Sequence, residues 1–231
     1  MDKEEAQRLA KELLRGFGEA LERAALAERP EHRFLILLAW LNTQLERRRL
    51  GRIIIVGGFA AELYTGGGYR TLDVDFVAIF PASLVVEKLL RMLEVPMSSR
   101  GPVLGLGGVE KALDLVSSTY KPKFEPVRVE VDGLHVYIEA PEELVLRYLR
   151  EWKYWGTREA EYRVLLLLGV LGDQLNLHAL RRAAREERLE DLLDHALEKL
   201  RSLGEELEGS GNASAERLGD SDSSPFYAMH H

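Results

Sequence analysis

The sequence contains no cysteine, few asparagine and glutamine residues, and only six scattered histidines. Without cysteine the chain can form neither disulfide bonds nor thiolate zinc sites, and it has no cysteine nucleophile. No His-x-x-x-His spacing occurs, so any bound metal ion is expected to have oxygen ligands. The scarcity of amide side chains, with abundant Arg, Glu and Leu, predicts a thermophilic source.

Long hydrophobic runs and a strong charge of one sign are also absent. Apolar runs such as 164–168 are far shorter than the roughly 20 residues that span a membrane. The charged start, residues 1–5, lacks the layout of a secretory signal, so we expect a cytoplasmic protein without a membrane segment. The net charge of -7 disfavours broad binding to nucleic acid, but a local basic patch could still bind a tRNA.

Helical and strand periodicities divide the chain of 231 residues into four parts. Apolar residues at helical spacing predict an N-terminal helical hairpin over 1–50. Short β-branched runs alternate with helices over 51–140 and end in a hairpin with an Asp132-Gly133 turn, which predicts a core built on a sheet. Four helices are predicted over 141–204. The last part, 205–231, is predicted to be a flexible acidic tail because it has few apolar residues.

The fold class predicted from this order is α/β (α+β). It combines a mixed β-sheet core, flanking helices and a C-terminal helical bundle.

Two aspartates on one predicted strand, 71–79, are the first candidates for a functional site. Residues two apart share a strand face, so Asp73 and Asp75 point together while Leu72, Val74 and Phe76 face the core. Adjacent carboxylates repel each other unless a cation lies between them. Mg²⁺ is a hard ion that carboxylates commonly share with substrate phosphates, and a two-metal site is one form of this arrangement. The alternative is a solvated strand edge without a ligand.

The residues around the pair favour a ligand. Gly57 and Gly58 form a turn between a strand and a helix, where unhindered N–H groups can approach phosphate oxygens. Arg70 and Thr71 directly precede the pair and offer a guanidinium group and a hydroxyl group. These four residues are our candidates for nucleotide contacts.

The ordered combination of these segments resembles a known family. The stretch from Val56 to Leu63, followed by Gly68 to Phe76, is similar to the DNA polymerase β-like nucleotidyltransferase superfamily. It resembles in particular the small prokaryotic and archaeal members, which include minimal nucleotidyltransferases and abortive-infection type toxins and antitoxins. The pattern is Gly-Gly or Gly-Ser, a helix, and then Arg-x-Thr-x-Asp-x-Asp. The similarity is tight over 53–79 and looser over 110–165, and it implies a nucleotidyltransferase core over 51–140.

The resemblance implies a third carboxylate on a later strand. Asp114 is the candidate, because Ala112–Ser117 matches the expected segment of apolar residues around one Asp. Glu130 and Asp132 are the alternatives. Family members often carry a lysine in the helix after the sheet, where this chain has Arg147 or Arg150.

The activity that the resemblance implies is Mg²⁺-dependent transfer of a nucleoside monophosphate from a triphosphate such as ATP to a protein or RNA hydroxyl. The phosphates would lie against Gly57 and Gly58, and Asp73, Asp75 and Asp114 would bind the metal. Asp114 would also help to activate the acceptor. A toxin–antitoxin role, with a cognate partner or a homo-oligomer, is part of the expectation. The alternative is a catalytically idle binding module that acts as an antitoxin-like partner or an RNA binder.

Two weaker patterns have competing interpretations. Gly105–Glu110 hints at a dinucleotide fingerprint, but we predict a flexible loop over the active site. Tyr148, Trp152 and Trp155 share one helix face and could stack a nucleobase. We predict instead that they pack the helix against its neighbours.

Overall fold

The structure is a computed structural model that describes the backbone over residues 1–215 and side chains over 1–205. Eight α-helices and six β-strands lie in this range. The helices are α1 Lys3–Ala25, α2 Pro30–Arg47, α3 Gly57–Tyr64, α4 Ala82–Met92, α5 Pro141–Trp155, α6 Arg158–Leu171, α7 Leu177–Glu186 and α8 Glu190–Ala215. The strands are β1 Ile53–Ile55, β2 Asp73–Ala78, β3 Val103–Leu106, β4 Val109–Ser117, β5 Val127–Val131 and β6 Leu134–Ile138.

All six strands form one mixed sheet in the order β3-β4-β2-β1-β6-β5. The pairs β2–β4 and β1–β6 are parallel, and the other neighbours are antiparallel. The three isoleucines of β1 are fully buried, as expected for a continuous β-branched run in the middle of a sheet. The predicted fold class, a mixed sheet with flanking helices, is confirmed.

The N-terminal helices pack on the sheet through an apolar face. Asp2 caps α1 by accepting a hydrogen bond of 2.8 Å from the Glu5 N–H. The buried Asn42 on α2 donates to the His135 carbonyl at 3.0 Å and accepts from the Ile53 N–H at 2.8 Å. One apolar cluster extends from α1 through the sheet to α8. The first three predicted parts, 1–50, 51–140 and 141–204, therefore share a core, and the division of the chain into domains stays a prediction.

The structure corrects the sequence analysis at two strands. Strand β2 begins at Asp73 and not at residue 71, so Leu72 lies outside it and is 79% exposed instead of facing the core. The stretch from Gly105 to Glu110 is neither a flexible loop nor a dinucleotide fingerprint. It is a β-hairpin between β3 and β4, in which Gly107 and Gly108 supply the positive φ angles of the turn.

The C-terminal helix is longer than its periodicity indicates. Helix α8 continues to Ala215, beyond residue 204, and so enters the segment predicted as a tail. The remainder of that predicted tail, 216–231, lies outside the described residues. No helix in the described part of the chain is both long enough and apolar enough to cross a membrane.

Candidate active site

Three aspartates lie together on one face of the sheet. In the parallel pairing of β2 with β4, Asp75 is directly opposite Asp114, and Asp73 is opposite Ala112. Val74 and Phe76 face the other side of β2 and are fully buried. The alternation predicted for β2 and the choice of Asp114 as neighbour are thus reproduced in the geometry, while the roles of these residues stay predictions.

The alternative third acids lie elsewhere. Glu130 is on the edge strand β5, where it pairs with Arg128. Asp132 lies in the hairpin turn with a φ of 52°, and its carboxylate binds Arg23. Both have local structural partners, so neither is placed to act with Asp73 and Asp75.

Burial and mutual repulsion disfavour the charged forms of Asp75 and Asp114. Burial raises the pKa of Asp75, the negative charge of Asp114 raises it further, and the N–H of Gly58 opposes the shift. Burial also raises the pKa of Asp114, while Arg100 lowers it and Asp73 raises it. A bound cation would remove this repulsion.

The Asp75→Asn variant should gain stability relative to wild type as the pH rises. A carboxyl group whose folded pKa lies above its ordinary value of 3.8 contributes stability below that value and loses it as the pH rises through the folded pKa. As the pH rises, wild type therefore loses this contribution to the free energy of unfolding, whereas the amide of the variant does not titrate. Urea unfolding of both proteins at about pH 4 and about pH 8 measures the difference. An equal difference at both pH values would contradict the raised pKa.

Arg100 is the cation nearest to the carboxylates. It belongs to the segment between α4 and β3, and its Nη1 lies 2.7 Å from Asp73 Oδ2. Over the described residues no group of three or more His, Cys, Asp or Glu side chains is arranged to hold a metal ion. The aspartates supply the hard oxygen donors that Mg²⁺ prefers, but Asp73 is paired with a guanidinium group.

Gly57 and Gly58 allow a close approach between α3 and β2. Gly57 has a φ of 62°, and a Cβ atom there would lie 2.9 Å from Asp75 Oδ2. A Cβ atom at Gly58 would lie 3.2 Å from Thr71 Oγ1. The Gly57 N–H donates to Glu139 Oε2 at 3.1 Å, and the Gly58 N–H donates to Asp75. Both amides that the sequence assigned to phosphate therefore bind carboxylates of this chain.

Gly57→Ala should displace Asp75 and lower the stability of the fold by about 1–2 kcal/mol, the cost of a left-handed conformation with a Cβ atom. The clash with Asp75 Oδ2 adds to this cost because that carboxylate is held by the Gly58 N–H. Chemical denaturation measures the loss. Gly18→Ala, at an open position in a helix, is the control and should not destabilise the protein.

A buried ion pair holds the turn before β2. Glu62 on α3 and Lys111 on β4 are 5% and 3% exposed, and their Oε2 and Nζ atoms are 2.8 Å apart. Glu62 Oε2 also accepts from the Thr71 N–H at 2.9 Å, while Lys111 donates to the Thr71 carbonyl. The Thr71 hydroxyl accepts from the Asp73 N–H at 3.3 Å. The pair thus fixes both backbone groups of Thr71, and through it the start of the strand that carries the aspartates.

A cavity of about 510 Å³ opens beside Asp73 and Asp75, and we call it the carboxylate cavity. The four candidate nucleotide-binding residues, Gly57, Gly58, Arg70 and Thr71, all line it. Three further cations line it, Arg100, Arg147 on α5 and Arg163 on α6.

The helix after the sheet contributes Arg147 to this cavity. Arg147 binds the buried Glu139 through two hydrogen bonds of 2.5 and 3.2 Å. Arg150, the alternative, binds Glu143 and Glu187 and does not line this cavity. Of the two arginines, Arg147 is the one positioned near the aspartates.

Arg163 forms the far wall of the carboxylate cavity. Its guanidinium carbon lies 4.9 Å from the Tyr69 ring centre and 5.1 Å from that of Tyr148. Within the described residues, Arg163 Nε and the Tyr148 hydroxyl are buried without a hydrogen-bond partner. Burial raises the pKa of that hydroxyl, which keeps it a neutral donor. Both groups are shielded from solvent, and the outer nitrogens of Arg163 pair with Glu151 and Glu159.

The aromatic side chains on α5 do not form one stacking surface. Tyr148 is 1% exposed, and Trp152 packs against His195 with ring centres 5.8 Å apart. Both agree with the predicted packing role, whereas Trp155 is 72% exposed and packs poorly.

Several site residues have no signal in the sequence. Arg100, Lys111 and Arg163 belong to no recognisable motif. Charged residues at positions that otherwise alternate as apolar, such as Lys111 beside Ala112 and Leu113, are the one hint that they are buried with a partner.

Comparisons with known proteins find only solved structures of low sequence identity. No family model matches the sequence, and no curated protein matches it. A crystal structure of an antigenic nucleotidyltransferase-like protein from Paracoccidioides brasiliensis is 18% identical, with a TM-score of 0.46 over 70% of this chain and 90% of that chain. The antibiotic-resistance factor ANT(2'')-Ia in solution is 16% identical, with a TM-score of 0.42 over 69% and 94%. Its crystal structure with adenylyl-2"-tobramycin is 17% identical, with a TM-score of 0.43 over 67% and 97%. The function proposed below depends on the site residues and not on these likenesses.

Proposed function

We propose that this protein is a Mg²⁺-dependent nucleotidyltransferase that moves a nucleoside monophosphate from a nucleoside triphosphate to a hydroxyl group of a protein or an RNA. The observation that carries the proposal is the alignment of Asp73, Asp75 and Asp114 on one face of two parallel strands. The raised pKa values of the partly buried Asp75 and Asp114 support it, because perturbed pKa values of neighbouring carboxylates are common at functional sites. A place in a toxin–antitoxin pair is part of the proposal and depends on the family resemblance alone.

Asp73, Asp75 and Asp114 would hold the metal once Asp73 exchanges its ion pair with Arg100 for the cation. When bound, the metal would neutralise charge on the phosphates of the nucleotide. Arg70, Arg147 and Arg163 line the same cavity and would bind the anionic triphosphate. These cations replace the amides of Gly57 and Gly58, which are already bonded to carboxylates.

The transfer step follows from these positions. The acceptor oxygen attacks the α-phosphorus, the bond to the oxygen that bridges the α- and β-phosphates breaks, and pyrophosphate leaves. The Asp114 carboxylate takes the proton of the acceptor hydroxyl. Positioning and charge neutralisation supply most of the rate enhancement in reactions of this kind.

A binding module without activity is the second candidate, and one contact favours it. Arg100 gives Asp73 a positive partner without any metal. An idle protein could keep its carboxylates in this way, since an internal guanidinium group would neutralise the charge that a cation neutralises in an enzyme.

Transfer of label distinguishes the two candidates. The protein is incubated with Mg²⁺, cell extract and each α-labelled or γ-labelled triphosphate in turn. Nucleotidyl transfer moves the α label and not the γ label to the acceptor, and Asp73→Asn/Asp75→Asn should abolish it. Asp173→Asn, at an exposed position, is the control. Absence of α label from every acceptor would refute the enzyme and leave the binding module.

A further inference from the structure

A second cavity of about 520 Å³ lies on the other side of Arg100. It is bordered by α4, by the segment 97–102 and by the outer edge of β4, and we call it the edge cavity. Asp114 lines the edge cavity, Asp73 and Asp75 line the carboxylate cavity, and Arg100 lines both. The two cavities thus share Arg100, so a donor in one cavity and an acceptor in the other would approach the aspartates from different sides.

The walls of the edge cavity are mainly apolar. Phe80 and Met97 project there and are 59% and 63% exposed. Its two cations already have partners, because Arg91 binds Glu87 at 2.6 Å and Arg100 binds Asp73. A nucleic acid acceptor requires a row of cations along its phosphates, and these two are the only cations that the described residues contribute to the lining. The lining therefore favours a partner that brings apolar groups and little charge.

One wall of the edge cavity is an open strand edge. Strand β3 pairs with β4 only as far as Ala112, and the Leu113 N–H then donates to the Pro102 carbonyl at 2.9 Å. Alternation places the N–H and C=O groups of Leu115 on the same outer side. The described residues form no backbone hydrogen bond to Leu115 from that side. Such an edge is a template for an extended peptide.

We infer that the edge cavity binds an extended segment of a partner protein, which pairs with Leu115 and presents a serine, threonine or tyrosine hydroxyl to Asp114. In an added strand, the side chain beside Asp114 lies on the same face as that carboxylate. In the added strand, the residues before and after the hydroxyl residue lie on the opposite face, with Leu113 and Leu115. The preferred acceptor is therefore a hydroxyl residue flanked by apolar residues.

This inference deepens the proposed function and rests on it. The peptide hydroxyl oxygen forms a bond to the α-phosphorus of the triphosphate, and pyrophosphate leaves with the bridging oxygen. The hydroxyl proton passes to Asp114, and the product is a phosphodiester between the peptide and the nucleoside. The aspartates alone would allow a hydroxyl group of either a protein or an RNA as the acceptor. The lining of the edge cavity favours the protein.

The test offers the full-length protein three acceptors with Mg²⁺ and α-labelled triphosphates. The acceptors are synthetic peptides of about ten residues with a central serine flanked by valines, the same peptides with aspartates in place of the valines, and total tRNA. Phe80→Asp and Met97→Asp place a charge in the edge cavity at exposed positions, so the fold is unaffected. Leu26→Asp, at an apolar position that is 84% exposed on α1, is the matched control.

We expect the valine-flanked peptides to be labelled most. Phe80→Asp and Met97→Asp should lower this labelling by on the order of tenfold, as expected when apolar contacts are lost from a pocket. Leu26→Asp should match wild type, and binding of fluorescent triphosphate should be the same in all four proteins. Amide hydrogen exchange over 113–118 should slow when the valine-flanked peptide is added.

Three results would overturn the inference. Labelling of tRNA in place of the peptides would refute the protein acceptor and leave nucleotidyl transfer intact. Peptide labelling that Phe80→Asp and Met97→Asp do not change would place the acceptor elsewhere. Absence of label from all three acceptors and from cell extract would refute the proposed function itself, and the inference with it.

Discussion

Asp75→Asn should lower nucleotidyl transfer by at least about a thousandfold without unfolding the protein, because metal ligands supply several kcal/mol of transition-state stabilisation. Asp75 lies opposite Asp114 in the register and next to Asp73 on its own strand, so it is the central member of the three. Its raised pKa means that its charge is unfavourable in the free protein. The amide therefore removes the cation ligand and relieves repulsion at the same time.

Transfer rates measure the loss of activity, and unfolding curves of the same samples show whether the variant is still folded. Asp73→Asn and Asp114→Asn should show losses of similar order, and the exposed Asp173→Asn should behave as wild type. A variant at Asp75 that keeps more than a tenth or so of the wild-type rate would contradict its place as a metal ligand.

Lys111→Met should lower the free energy of unfolding by about 3–5 kcal/mol, since it leaves the charge of Glu62 buried without its partner. The ion pair is almost fully buried, and both groups also hold the backbone of Thr71. The loss should therefore extend to transfer activity under conditions where the variant is still folded.

Urea unfolding measures the effect, with Lys11→Met on the exposed face of α1 as the control. Adding Glu62→Gln to Lys111→Met should recover part of the stability, because an amide has no charge to leave unpaired. A loss below about 1 kcal/mol in the single variant, the range of exposed pairs, would show that the pair is solvated.

The fold class and the shared face of Asp73 and Asp75 could be predicted because both depend on local periodicity, whereas Asp114 was implied by the family resemblance. Alternation along β2 assigned Asp73 and Asp75 to one face, and the apolar residues around Asp114 marked a buried strand. The register that places Asp114 opposite Asp75 could not be predicted, since it depends on pairing between strands far apart in the sequence. The family resemblance alone indicated that Asp114 lies near Asp73 and Asp75.

Other features depend on contacts that periodicity does not encode. Glu62 and Lys111 are 49 residues apart, and the local sequence around either residue does not indicate its partner. The hairpin of β3 and β4 was missed because its turn uses two glycines with positive φ in a stretch where glycine also suits a loop. Leu72 follows the apolar alternation of β2 but lies in the preceding turn. The buried pair of Glu62 and Lys111 fixes that turn by binding the backbone of Thr71.

The most direct test of the account is whether the aspartates bind a divalent cation together with a triphosphate. Electron paramagnetic resonance can measure Mn²⁺ binding to wild type and to Asp73→Asn/Asp75→Asn, with and without a triphosphate analogue that carries a methylene group between the α- and β-phosphates. We expect the analogue to strengthen Mn²⁺ binding to wild type and the double variant to lose this effect. Equal Mn²⁺ binding by the two proteins in the presence of the analogue would contradict the account.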